Sequence, residues 1–268
     1  MKKPNGTNLA MYGATVGLWG RREIERDVDD LIDKLAWELC EFGLKRVEEA
    51  GEFHLALSGG TTPERLFTRL MIDPRFRVLP WTKTHLWQVD DRCVPMEDER
   101  SNARMLRELL IDHSGIPANQ AHLMAVLEER GDERYERELR EQVGKGKVGE
   151  RLDFVLLGMG GDGHTASLFP GSPALGERER WVVFNDGERV VEPRPRMTMT
   201  YPVVNGARKI GVLVTGAGKH EMLRKVAQAA ESGVGDALEL PILGVRPSEE
   251  DGVLTWYLDG EAAAGARE

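Results

Sequence analysis

The chain has 268 residues, 41% hydrophobic and 30% charged, the composition of an ordinary globular protein of one large domain or two small ones. A formal net charge of -9 argues against a general nucleic-acid binder, which needs a basic face, but leaves room for a local Arg/Lys pocket that takes a small anion. Cys40 and Cys93 build neither a disulfide framework nor a metal-binding spacing, and no apolar run approaches the ~18 residues of a membrane span.

Residues 1–22 are Gly-rich and polar and read as a partly mobile N-terminal extension, with a short strand possible over Met11–Leu18. The segment MKKPNGTNLAMYG has no continuous apolar stretch, so no signal peptide is expected, and the sequon Asn5-Gly6-Thr7 reads as chance. A cytoplasmic setting is expected. From Glu23 to Ala50, Ile24, Val28, Leu31, Leu35, Leu39, Phe42 and Val47 recur at helical spacing, which predicts a long amphipathic helix ending at Gly51. Phe53–Leu57 reads as a buried strand that runs into Ser58-Gly59-Gly60-Thr61-Thr62-Pro63 and then a helix over Glu64–Met71. Strand, glycine loop and helix together aim backbone N–H groups at an anion, with Thr62 suited to the N-cap and Pro63 to the first helical position.

Thr84–Val89 predicts a strand ending in Asp90-Asp91-Arg92. Helices follow over Ser101–His113 and Asp132–Val143, with a short strand at Ala121–Met124 and a flexible link at Gly144–Gly149. Leu152 opens a strand that ends in GMGGDGHTASLFPG. Beyond it, Trp181–Phe184, Met197–Tyr201 (a strand or the start of a helix), Lys209–Thr215, Pro241–Val245 and Thr255–Leu258 read as strands, and a helix follows Gly216-Ala217-Gly218-Lys219 to about Glu231. Alternating strands and helices without a linker predict one α/β domain over 23–268: a Rossmann-like, mostly parallel sheet with helices on both faces. In such a sheet the loops that follow strands gather at one carboxyl edge. Four of them, SGGTTP, DDR, GMGGDGH and GAGK, therefore propose one site.

Three motifs compete for that site. Gly158-Met159-Gly160-Gly161-Asp162-Gly163 satisfies G-x-G-x-x-G, and Asp186 ends a later strand where a ribose-binding acid belongs. A dinucleotide crossover needs a full helix after the last glycine, and Thr165–Phe169 allows little more than a turn before Pro170-Gly171. GVLVTGAGKH departs from a P-loop, since Ala217 and Gly218 precede Lys219 and His220 follows it, but Lys219 still suits a phosphate monoester. Ala56 stands where a nucleophile elbow around Ser58 needs glycine, which makes phosphate cradling by Gly59, Gly60 and Thr61 the more natural reading. The six histidines show no metal-ligand spacing, and His164 stands apart because it sits among glycines beside Asp162.

Taken together these blocks resemble the 6-phosphogluconolactonases. GMGGDGHTASLFPG (158–171) is similar to that family's G-x-G-x-D-G-H-T-A-S-L-F-P signature. LALSGGTTP (55–63), DDRCVPMEDERSN (90–102), PRMTMT (195–200), GAGK (216–219) and WYLDGEAAA (256–264) match in order. Asp91 stands where the family usually has Glu, and Gly161 replaces a commonly larger residue. The resemblance implies the fold class of NagB-like deaminases, sugar-phosphate isomerases and CoA transferases, and hydrolysis of 6-phospho-D-glucono-1,5-lactone in the oxidative pentose phosphate pathway without metal or organic cofactor. It implies His164 as general base, Asp162 as its orienting acid, and glycine amides near Gly160 facing the oxyanion. It also implies Thr61, Arg196 and Lys219, with Arg92 as a weaker candidate, as phosphate ligands. The expected partner is a phosphosugar lactone, not nucleic acid or membrane, and the expected state is a monomer or small homo-oligomer. Two alternatives remain open: a glucosamine-6-phosphate deaminase or isomerase relative, and a non-catalytic sugar-phosphate-binding module.

Overall fold

The computed structural model describes residues 17–144 and 151–264. In chain order it runs β1 (Arg21–Glu25), α1 (Val28–Ala50), β2 (Phe53–Leu57), α2 (Thr61–Ile72), β3 (Thr84–Gln88), β4 (Asp90–Arg92), α3 (Asn102–Leu106), α4 (Asp112–Ser114), β5 (Ala121–His122) and α5 (Gly131–Val143). After that come β6 (Phe154–Gly158), β7 (Val182–Asn185), β8 (Arg196–Met199), α6 (Tyr201–Asn205), β9 (Lys209–Val214), α7 (His220–Ser232), β10 (Val253–Asp259) and α8 (Gly260–Ala263). Seven strands form one sheet in the order β1-β10-β9-β6-β2-β3-β5, and every pairing in it is parallel. A small antiparallel sheet, β4-β8-β7, stands beside it.

Strand alternation divides the core between the two faces. Phe53, Leu55 and Leu57 of β2 pack with Leu31, Leu35 and Leu39 of α1 and with Leu66 and Phe67 of α2. Ala56 of β2, Val155 and Leu157 of β6 and Val212 and Val214 of β9 face the other way, with Tyr135 and Leu139 of α5 and Leu223 and Val226 of α7. Helices therefore cover both faces, as the alternation of elements predicts. No described helix is long and apolar enough to cross a membrane.

Several local expectations change. The first helix starts at Val28, not Glu23, because Arg21–Glu25 pairs with β10 and Asp27 caps the helix through the Asp30 N–H at 3.0 Å. That strand crosses the residue-22 boundary expected for the N-terminal extension. Of the possible strand at Met11–Leu18, residues 11–16 lie outside the described residues, and Leu18 is irregular but buried in the core. The link predicted at Gly144–Gly149 lies outside the described residues beyond Gly144, which caps α5. Pro241–Gly244 is a short 3-10 helix instead of a strand. Pro241 has no ladder donor to offer, and the Ile242 N–H bonds the Gly163 carbonyl at 3.0 Å, so the segment braces the His164 loop.

One buried charge cluster ties α1 to the sheet. Asp153, just before β6, accepts from Arg46 Nε at 2.7 Å, from Arg208 Nε at 3.2 Å and from the His54 N–H at 2.9 Å. Removing the carboxylate leaves buried Arg46 with Glu49 alone, 2.7 Å from its Nη1, and strips the bond from its Nε. Asp153→Ala should cost about 3–5 kcal/mol of unfolding free energy, read as a lower denaturant midpoint at unchanged slope.

Candidate active site

The loops after β2, β4, β6 and β9 meet in one cleft of about 380 Å³ at the carboxyl edge of the sheet. That volume falls within the range of small-molecule sites. Gly59, Gly60, Thr61, Arg92, Gly160, His164, Arg196 and Lys219 all line it. Asp162 reaches the site through His164.

The first wall is the start of α2. This helix begins at Thr61 with Gly60 as its N-cap (φ 119°) and no side-chain cap, two residues earlier than the Thr62/Pro63 start expected from sequence. Its first N–H groups are therefore left for a ligand in the cleft. Thr62 instead reaches across to Thr215, their hydroxyl oxygens 3.2 Å apart. Gly59 is glycine for a steric reason: a Cβ there would lie 2.1 Å from Asn102 Oδ1. The Ser58 hydroxyl is buried with no hydrogen-bond partner, so no base activates it as a nucleophile.

The second wall turns on Asp91, which is fully buried. Oδ1 accepts from the N–H groups of Arg92 (2.8 Å) and Asn102 (2.7 Å). Oδ2 accepts from Gln88 Nε2 (2.6 Å), Ala103 N–H (2.9 Å) and Ser101 Oγ (3.2 Å). The shorter carboxylate that departs from the family pattern thus clamps the N-terminus of α3 to the β3–β4 turn. Asn102, so placed, accepts from Arg92 Nη1 at 2.8 Å and donates to the Asp90 carbonyl at 2.9 Å. Arg92 Nε is buried without a partner. Asp90 accepts from Ser167 Oγ at 2.6 Å, and burial raises its pKa against the pull of that bond and of Arg92.

The third wall carries the His–Asp pair. No helix opens directly after the glycine loop of β6: Thr165 and Leu168 form an isolated bridge and only a short 3-10 helix, Pro173–Gly176, comes before β7, which removes the dinucleotide reading. His164 Nδ1 lies 2.5 Å from Asp162 Oδ1, and the His164 N–H donates to the same oxygen at 3.1 Å. Burial raises the Asp162 pKa, but the His164 hydrogen bond and charge outweigh it and hold the carboxyl below its ordinary value. A Cβ on Gly160 would lie 2.1 Å from His164 Nδ1, so only glycine lets the ring settle there. The expected role of the Gly160 amide needs correction, because that N–H donates to the His164 carbonyl at 2.8 Å and is not free to face an oxyanion. A Cβ at Gly161 would meet nothing within 4 Å, so no close contact requires glycine there.

Two cations complete the cleft. Lys219 Nζ donates to the Met159 carbonyl at 2.7 Å, and burial lowers its pKa while Asp162 opposes that shift. The neighbouring Gly216 N–H is taken by the Asp259 carboxylate at 3.0 Å, so it does not serve an anion. Arg196 donates through Nε and Nη2 to the Val191 carbonyl, and burial lowers its pKa with Arg92 adding to the shift. Phe169 joins two sides of the cleft: the His164 ring packs on it at 4.6 Å and the Arg196 guanidinium at 5.4 Å. Sequence reasoning missed Asp90, Asn102 and Phe169 as site residues. All three lie inside the matched blocks, but only contacts between distant segments give them their roles.

The family described as glucosamine-6-phosphate isomerases/6-phosphogluconolactonase matches residues 26–256. The chain belongs to this family. A 6-phosphogluconolactonase of Synechocystis is 38% identical over 230 residues, 83% of this chain and 88% of that protein. The human GDH/6PGL endoplasmic bifunctional protein is 39% identical over 245 residues, 88% of this chain but 29% of that protein, so the chain spans under a third of that relative. The crystal structure of a 6-phosphogluconolactonase from Thermotoga maritima superposes with a TM-score of 0.72 at 26% identity, covering 89% of this chain and 99% of that one.

Two outcomes test the site's geometry. Gly160→Ala should displace the His164 ring and lower kcat by about 10²-fold or more, with a circular dichroism spectrum like that of the parent. Because Lys219 loses its charge at lower pH than an ordinary lysine, phosphate-monoester affinity should fall by about tenfold as pH rises through that lowered value. In Lys219→Arg, calorimetry should show affinity persisting to higher pH.

Proposed function

We propose that the chain hydrolyses 6-phospho-D-glucono-1,5-lactone to 6-phosphogluconate, with His164 as general base. The observation that carries this reading is the Nδ1 contact with Asp162 in the same cleft as Arg92, Arg196 and Lys219. In the neutral ring the Nδ1–H donates to the carboxylate, which leaves the Nε2 lone pair for a water molecule. Water attacks C1 as Nε2 takes its proton. The tetrahedral intermediate then expels the ring oxygen, which leaves as the C5 hydroxyl after receiving a proton from the imidazolium. Asp162, held ionised, stabilises that imidazolium and fixes the tautomer.

Phosphate is held remote from C1 by the uncapped start of α2 at Thr61, by Arg196 and Lys219, and by the unpartnered Nε of Arg92. Binding energy spent there positions C1 against the water. Phe169 spaces the two ends by touching both His164 and Arg196.

The test is a coupled assay of lactone hydrolysis beside amino-sugar deamination on the purified protein. Lactone turnover without deamination is expected, and the reverse pattern would move the chain to the other activity of its family. His164→Ala should lower kcat by about 10²–10⁴-fold while 6-phosphogluconate still binds. Lys219→Ala should act mainly on KM.

A further inference from the structure

A second cavity, of about 470 Å³, lies on the α1 face of the sheet toward the amino ends of its strands. That volume again falls within the range of small-molecule sites, and the proposed lactone chemistry uses none of the residues that line it. Phe154 and Lys209 open β6 and β9 here, and the same two strands end at the catalytic cleft in Gly158 and Val214. One wall is a single face of α1, where Lys34, Trp37, Glu38, Glu41, Phe42 and Lys45 recur at helical spacing. The floor is aromatic. The Phe154 and Tyr257 rings come together over Gly211, where a Cβ would lie 3.0 Å from one ring and 3.1 Å from the other. Phe42 packs beside them, its ring centroid 6.5 Å from that of Phe154. A flat apolar body would therefore find aromatic surface beneath and beside it.

The charges around this surface are paired, with one half-buried exception. Lys34 Nζ lies 3.4 Å from Glu23 Oε2 and 3.6 Å from Glu38 Oε1, and the Tyr257 hydroxyl donates to Glu38 Oε2 at 2.7 Å. Lys45 pairs with Glu49 at 3.6 Å. Lys209 is left out of these pairs. Its Nζ sits over the Phe42 ring at 4.2 Å and enters no ion pair among the described residues. Burial lowers its pKa against the pull of Glu38, and Arg21 and Lys45 add to the shift. A half-buried ammonium without a carboxylate is a charge that a bound anion would stabilise. Glu23, Glu38 and Glu41 line the same space, so an anion of one charge fits it better than a phosphate dianion.

We propose that this cavity is a second binding site, for an aromatic monocarboxylate. The ring of the ligand lies against Trp37, Phe154 and Tyr257, and its carboxylate supplies the counterion that Lys209 lacks. Arg21, at the mouth, adds a second positive charge on the same side of the sheet. The aromatic floor supplies affinity for the ring, and Lys209 fixes which end of the ligand carries the charge.

The site stands or falls independently of the lactonase reading, because its test uses no substrate. The probe is 2-naphthoate, titrated into the full chain. The reporter is the Trp37 indole signal in ¹H–¹⁵N spectra, assigned with Trp37→Phe. Binding should be saturable, with a dissociation constant of about 1 mM or tighter. The neutral 2-naphthamide, of the same shape, should bind the same protein about tenfold more weakly, and Lys209→Met should weaken 2-naphthoate by about as much. Lys209→Arg should retain the affinity. His164→Ala should bind 2-naphthoate as the parent does, which separates this site from the catalytic cleft. Absence of a saturable Trp37 shift would overturn the proposal. So would equal affinity for the amide, tighter binding of 2-naphthyl phosphate, or shifts confined to the loops of Gly59 and Gly160.

Discussion

The contact between His164 Nδ1 and Asp162 sets the terms for the rest of the cleft. It fixes which imidazole nitrogen is left to take a proton, and it requires a glycine at position 160, because any Cβ there would overlap the ring. The loop that holds it has no helix to stiffen it. Its support comes from outside: the Thr165 hydroxyl donates to the Gly158 carbonyl at 2.8 Å, the Gly163 carbonyl accepts from Ile242, and Phe169 is buried under the ring. A functional group on a loop becomes precise only when separate segments immobilise it.

The opposite side of the cleft solves the same problem with charge. Five donors converge on Asp91, and the resulting clamp places Asn102 against Gly59 and under Arg92. A Glu at this position would carry its carboxylate one methylene further out. The departure from the family pattern thus falls on a residue that positions others, while His164, Arg196 and Lys219 line the same cleft.

Much of this was legible in the sequence because it is local. FHLAL and KIGVLV read as buried strands and are buried strands, and parallel order alone brings their following loops to one edge. What was not legible depends on partners far away in the chain. Arg21–Glu25 carries helix-compatible apolar spacing and becomes a strand only because β10 offers it an edge. The Gly160 amide looked available until the chain folded back and the His164 carbonyl took it. The histidines at 54, 85 and 122 have no sequence spacing that signals a cluster. Three parallel strands bring them together.

The central claim is that one cleft presents C1 to His164 Nε2 while distant cations hold the phosphate. A crystal structure of the complex with 6-phosphogluconate tests it most directly. The account predicts the C1 carboxylate within about 3 Å of His164 Nε2 and the phosphate at the start of α2 between Arg196 and Lys219. A phosphate seated on His164, or a C1 carboxylate out of its reach, would contradict it.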